Sequence, residues 1–209
     1  MIKNKKIVCL SPHPDDVEFG CGGSLSRWAG NNEIFYFVFS PCNKSLPKGY
    51  AENSIYQECD EATHLLGIKK KNVRKFDFTV REFPAHRQAI LEELVKINRS
   101  ISPDLILMPN GRDVHQDHHQ IYLEGKRAFK NASILGYELP WNNFSSGGNF
   151  FVKLNDKEVE LKISAIHAYA SQQNRFYFQK HNIKSFLAYR GMQVQSAYAE
   201  CFETIRWVM

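Results

Sequence analysis

Apolar residues run along this chain in two alternating rhythms. Short runs that are apolar at nearly every position occur at Lys6-Ile7-Val8-Cys9-Leu10-Ser11, Ile34-Phe35-Tyr36-Phe37-Val38-Phe39 and Asp104-Leu105-Ile106-Leu107-Met108, with Val73-Arg74-Lys75-Phe76 a shorter candidate. Their β-branched and aromatic content fits strands covered by apolar layers on both faces. Between them the spacing becomes helical: Ser24 to Trp28, Tyr56 to Leu66 closing on Gly67, Ala89 to Ile97 after Pro84, and about Asp117 to Lys130. Strands and helices alternating at this spacing predict an α/β fold of Rossmann-like, doubly wound type, a mostly parallel sheet with helices on both faces. Beyond Lys130 the pattern weakens. Ile134 to Glu138 and Phe150 to Leu154 read as strands and Glu158 to Tyr169 as a helix, and with no linker or repeat the whole of 1–209 is expected to form a single domain.

With 209 residues, 43% hydrophobic and 23% charged, the chain is neither disordered nor of low complexity. No stretch reaches the roughly 18 apolar residues of a membrane span, and Met1-Ile2-Lys3-Asn4-Lys5-Lys6 leads into the first strand without a signal-peptide pattern, so a cytoplasmic protein is expected. Five cysteines without a C-x-x-C pair suggest neither a disulfide framework nor a cysteine zinc site. The net charge of +5 is scattered rather than gathered on a helix face, which argues against nucleic acid as a partner.

The chemistry is concentrated in two places. Ser11-Pro12-His13-Pro14-Asp15-Asp16-Val17-Glu18-Phe19-Gly20 follows the first predicted strand, and Arg112-Asp113-Val114-His115-Gln116-Asp117-His118-His119 follows the fourth. In an open parallel sheet the loops past the carboxyl ends of the strands form the ligand crevice, so both clusters belong to one edge. Imidazole nitrogens combined with a carboxylate suit zinc, and three protein ligands with one open position mark a catalytic site. Gly20, Gly22 and Gly23 have the wrong spacing for a dinucleotide fingerprint and are expected to form a tight turn into the helix.

His13-Pro14-Asp15-Asp16 with Glu18 and Gly22-Gly23, together with His115-x-Asp117-His118, resembles the PIG-L/LmbE-like family of zinc-dependent N-deacetylases. Weaker similarities extend over most of the chain: Leu66-Gly67, Arg81, Pro103-Asp104, His167 with Ser171-Gln172, and Tyr198-Ala199-Glu200-x-Phe202. Two positions depart from the family pattern: Gln116 stands where many members have proline, and Ile55 where an arginine often precedes the glutamate matching Glu58. The resemblance implies an LmbE-like three-layer sandwich and a Zn2+ ion held by His13, Asp16 and His118. It makes Asp15 the general base; if Asp15→Asn kept near-normal turnover, Glu18 would be the first suspect for that task. His115 is then the group that stabilises the oxyanion or protonates the amine, oriented by Asp117, and Arg81 is the contact to substrate hydroxyls or phosphate.

The expected function is therefore a zinc-dependent hydrolase that removes the N-acetyl group from an acetamido sugar or sugar conjugate through a metal-activated water. The alternatives are hydrolysis of another acyl amide or a phosphoester on the same site, or a non-catalytic sugar- or metal-binding protein. The aromatic segment Trp141 to Phe151 and the tail around Tyr177, Phe178, Phe186 and Tyr189 are where substrate choice, or contacts between copies in a homo-oligomer, are expected.

Overall fold

The computed structural model describes residues 2–145 and 147–208. A seven-stranded sheet carries the order β3-β2-β1-β4-β5-β7-β6, with β1 Lys6–Ser11, β2 Glu33–Val38, β3 Val73–Lys75, β4 Leu105–Pro109, β5 Ser133–Tyr137, β6 Phe150–Leu154 and β7 Tyr198–Arg206. β1 to β5 pair in parallel, whereas β7 runs antiparallel to both β5 and β6. Six α-helices accompany it: α1 Asp16–Trp28, α2 Ile55–Leu65, α3 Arg87–Ile101, α4 Gln116–Ala128, α5 Asp156–His167 and α6 Lys180–Met192.

Alternation along the central strands divides the core. Ile7, Cys9, Tyr36, Val38, Leu105 and Leu107 face one side and pack with Leu25 of α1, Ile55 of α2, Ile163 of α5 and Leu187 of α6. Val8, Leu10, Phe37, Ile106 and Met108 face the other and meet Ile90, Leu94 and Ile97 of α3 and Ile121 of α4. Two helical layers thus sandwich the sheet, the layout expected from strands that are apolar at every position. Among the described residues no helix is long and apolar enough to cross a membrane.

Three features differ from the periodicity. The glycines after the first motif lie inside α1, which begins at Asp16 and is kinked at Cys21 (φ −149°), rather than in a turn ahead of a helix. Close packing explains them: a Cβ on Gly20 would run into the Tyr137 ring and one on Gly23 into Leu154. α6 escapes notice because its buried positions, Ile183, Leu187, Arg190 and Gly191, make only a narrow stripe in which one member is charged. β7 escapes because Glu200 stands in its middle, a carboxylate made tolerable there by the buried ammonium of Lys162 2.7 Å away. By inserting antiparallel between β5 and β6, β7 makes the sheet mixed.

β1 leads outward to β2 and β3 on one side, while β4 leads to β5 on the other. The chain therefore reverses its direction of winding between β1 and β4, and the crevice of a doubly wound sheet opens where that occurs, beyond their carboxyl ends.

Candidate active site

Both motifs meet in that crevice. After β1 the chain turns sharply: Asp15 adopts the left-handed region (φ 86°), the Ser11 hydroxyl donates to the His13 carbonyl at 2.6 Å, and the His13 N–H donates to Asp16 Oδ2 at 2.9 Å. After β4, the Asp113 carboxylate accepts the His115 N–H at 2.9 Å. His115 is the N-cap of α4, its Nδ1 accepting the Asp117 N–H at 3.1 Å. Asp16, Asp117 and His118 are thereby buried at the start of two helices, α1 and α4, that face each other across the switch point.

Two histidines present lone pairs to one another. His118 Nδ1 donates to Asp113 Oδ2 at 2.8 Å and His13 Nε2 to Asp117 Oδ2 at 2.9 Å, and each carboxylate fixes the tautomer of its neutral ring. His118 Nε2 and His13 Nδ1 then stand 3.0 Å apart, with Asp16 Oδ2 3.2 Å from the first and 3.5 Å from the second. Without a cation between them, two lone pairs and a carboxylate at this distance repel. Tetrahedral coordination with bonds of about 2.0–2.1 Å requires ligand atoms about 3.3 Å apart, so the three atoms match the edges of a zinc site. Burial opposes charging of both rings, but Asp16 and Asp113 hold His118 up at about 10, and Asp117 and Asp16 hold His13 above its ordinary value.

His115 stands close to the same point, since one nitrogen from each of His13, His115 and His118 falls within a 4.8 Å group. Its role differs, because Nδ1 is occupied as the α4 cap and the neutral ring must carry its proton on Nε2. It is a donor to the cavity, not a lone pair for a metal. Burial, followed by the charges of His118 and His13, pushes its pKa down to about 4. Of the two tasks expected of His115, protonating the amine is therefore disfavoured and donating to an oxyanion as a neutral ring is favoured.

Asp117 also differs from expectation. Its carboxylate does not orient His115. Oδ2 accepts from His13 Nε2 and, at 2.6 Å, from the Arg81 N–H, and Oδ1 accepts from the Phe83 N–H at 3.2 Å. The physical reason is the helical geometry: as the second residue of α4, Asp117 projects away from the His115 ring towards the β1 loop and the 81–83 segment. That segment holds Arg81 in a left-handed conformation (φ 71°). Asp113, which sequence reasoning left without a role, is the orienting partner of His118. A buried ligand histidine needs such an acceptor for its second nitrogen, and that need was the available signal.

Asp15 and Asp16 are separated in character. His118 and His13 overcome burial and hold the Asp16 carboxyl far below the usual range, whereas burial and the neighbouring Asp16 charge push that of Asp15 well above it. Glu18 points elsewhere: it is fully buried and accepts from Tyr36 and Tyr169 hydroxyls at 2.8 and 3.0 Å. His167 bonds the Phe178 carbonyl at 2.9 Å, and exposed His119 stacks on Tyr122, so both lie outside the site.

A cavity of about 360 Å³ opens over these groups. His13, Asp15, Asp16, His115 and His118 line its polar part, Leu46, Ile55 and Val80 give apolar wall, and Arg81, Trp141, Gln172 and Arg175 complete it. Of the aromatic segment flagged in the sequence, Trp141 reaches the cavity; Ser146 lies outside the described residues. Arg175 was missed because nothing in its local sequence distinguishes it from a surface arginine.

The PIG-L family, described as GlcNAc-PI de-N-acetylase, matches residues 8–129. The diacetylchitobiose deacetylase of Thermococcus kodakarensis is 25% identical over 191 residues, covering 80% of this chain and 70% of that protein. The uncharacterized deacetylase YaiS of Escherichia coli is 28% identical over 179 residues, covering 81% and 92%. Among solved structures, the N,N'-diacetylchitobiose deacetylase of Pyrococcus horikoshii in complex with an inhibitor superposes with a TM-score of 0.81 at 22% identity, over 95% of this chain and 83% of that one. The match establishes a shared three-layer LmbE-like fold.

Proposed function

This chain belongs to the PIG-L family, and we propose on that footing that it is a deacetylase that removes the acetyl group from an acetamido sugar or sugar conjugate with the help of a zinc ion. The observation that carries the reading is the convergence of His13 Nδ1, His118 Nε2 and Asp16 Oδ2 at 3.0 to 3.5 Å beside a cavity of sugar size. These three residues would hold the metal. When bound, zinc supplies an activated water and polarises the amide carbonyl.

The chain's own groups supply the rest. The Asp15 carboxyl lines the cavity, and its raised proton affinity suits it to take a proton from the attacking water. The same carboxyl, now protonated, returns the proton to the departing nitrogen. His115 directs its Nε2–H into the cavity and stabilises negative charge growing on the carbonyl oxygen, a role for which a neutral ring with a fixed proton is well suited. Asp113 and Asp117 hold the two ligand histidines in their tautomers, and Asp117 also ties the Arg81 segment to His13. Residues 1–209 act in this reading as one domain. The test is acetate release from N,N'-diacetylchitobiose and from N-acetylglucosamine conjugates, with zinc and after chelation. Zinc-dependent acetate release is expected; no release from any acetamido sugar would overturn the reading.

A further inference from the structure

The hydrogen bonds behind Gln172 run in one direction. Glu58, in the first turn of α2, takes both donors of Ser171: the backbone N–H donates to Oε1 at 2.8 Å and the hydroxyl to Oε2 at 2.6 Å. A carboxylate accepts and does not donate, so the one hydroxyl proton of Ser171 is committed to Glu58. The Ser171 oxygen keeps acceptor capacity, and Gln172 Nε2 donates to it at 2.9 Å. The sequence of bonds from Glu58 through Ser171 therefore fixes which end of the Gln172 amide faces back and which faces out.

Gln172 is 3% exposed and lines the cavity, and its Oε1 has no hydrogen-bond partner among the described residues. An acceptor buried without a partner is costly unless a ligand or water brings the donor. Turning the amide over gives no relief, because Oε1 would then meet the Ser171 oxygen, two acceptors with no proton between them. The carbonyl is held in this sense by α2 and by the turn Ala170–Gln172 after α5, apart from the loops after β1 and β4 that bring His13, Asp16 and His118 together. Those three residues serve the acetamido group in the proposed reaction, which leaves Gln172 to address another part of the sugar. Arg81, His115 and Arg175 offer the cavity donors; Gln172 offers a neutral acceptor, and its match on a sugar is a hydroxyl.

We infer that Gln172 Oε1 accepts a hydrogen bond from one ring hydroxyl of the sugar, and that Glu58 and Ser171 are positioning residues that hold its amide in that sense. This rests on the deacetylase reading for the identity of the ligand, while the contact itself can be measured without turnover. Methyl β-glucosaminide and its 3-, 4- and 6-deoxyfluoro analogues have no acetyl group to lose and can be titrated into the purified protein by ligand-observed NMR. Fluorine cannot donate, so one analogue should bind about tenfold more weakly than the parent sugar, the scale of one hydrogen bond lost to a buried acceptor. Q172L should bind that analogue and the parent alike. E58Q, outside the cavity, should reverse the bonds: the new amide still accepts the Ser171 N–H but donates to the hydroxyl, whose proton then turns to Gln172 and brings its Nε2 to the cavity. The preference for the hydroxyl should shrink below about twofold with unchanged circular dichroism, whereas a merely structural Glu58 would alter stability and leave the preference intact. Equal affinity for all four sugars, or binding of none, would overturn the inference. So would a preference that survives in Q172L, since another group would then accept from the hydroxyl, and one lost in Q172L but intact in E58Q would overturn the positioning by Glu58 and Ser171. A hydroxyl preference without acetate release from any acetamido sugar would instead overturn the deacetylase reading and leave Gln172 as a sugar contact.

Discussion

Individual carboxylates in this site have separate tasks in the proposed reaction, and substitution by the matching amide separates them. Asp15→Asn keeps shape but cannot accept a proton, so zinc content should be unchanged while kcat falls by about 10²- to 10⁴-fold; loss of zinc together with rate would make Asp15 a ligand. Asp117→Asn acts differently, because its two oxygens accept from His13, Arg81 and Phe83 and an amide leaves one of those N–H groups opposed by another donor. Zinc affinity measured by chelator competition should drop by about 10- to 100-fold, and KM should rise as the Arg81 segment loosens. An effect on kcat alone would return Asp117 to the task first expected of it, orienting His115. Glu18 gives a pH signature. Burial, against the two tyrosine hydrogen bonds, raises its pKa from 4.5 to about 7. Between those values the folded state binds a proton that the unfolded chain has released, so in chelated protein stability should fall as pH rises from about 4.5 to 7. The full extent is about 3 kcal/mol at 1.36 kcal/mol per pKa unit. Urea unfolding of Glu18→Gln across that window should show a flatter profile, and an unchanged slope would assign the titration to another group.

Helix α4 joins stability and chemistry in one residue. His115 caps the helix through Nδ1 and faces the cavity through Nε2, so His115→Ala removes both functions and His115→Asn only the second, because asparagine is also a good N-cap. Alanine should cost about 1 kcal/mol in thermal or urea unfolding, asparagine much less, and both should lower kcat by about 10²-fold, the scale of one lost oxyanion donor. If asparagine restored the rate, capping rather than donation would explain the histidine. Helix α1 shows the same economy. Its glycines let it lie against Tyr137 and Leu154, which brings Asp16, at its first position, to the His118 nitrogen.

At the scale of the molecule, the proposed metal site joins His13 and His118, 105 residues apart in the chain, across the two central strands β1 and β4. A metal that binds only the folded state stabilises it by about 2.7 kcal/mol at a hundredfold excess over Kd, which for a chain of this size corresponds to roughly 5–10 °C in Tm. Zinc should raise Tm by that order over the chelated protein, and His118→Ala should abolish the difference; an equal rise in that variant would place the ion elsewhere. The chain alone specified the parallel half of the fold, because strands apolar at every position, such as Ile7 to Leu10 and Leu105 to Met108, admit only burial on both faces. It also specified which residues could carry chemistry, since His13-Pro14-Asp15-Asp16 and His115-x-Asp117-His118 are costly to assemble without a use. Pairing was decided in three dimensions. Whether the Asp117 carboxylate meets His115 or His13, and whether Asp113 meets His118, depends on the direction in which α4 leaves its cap. Arg175 reaches the cavity beside a Tyr177 that stacks on Trp141, and β7 carries Glu200 into the sheet where Lys162 comes within reach of it. Each of these is a contact between distant segments, and local periodicity reports what a segment can bury but not which partner it will meet.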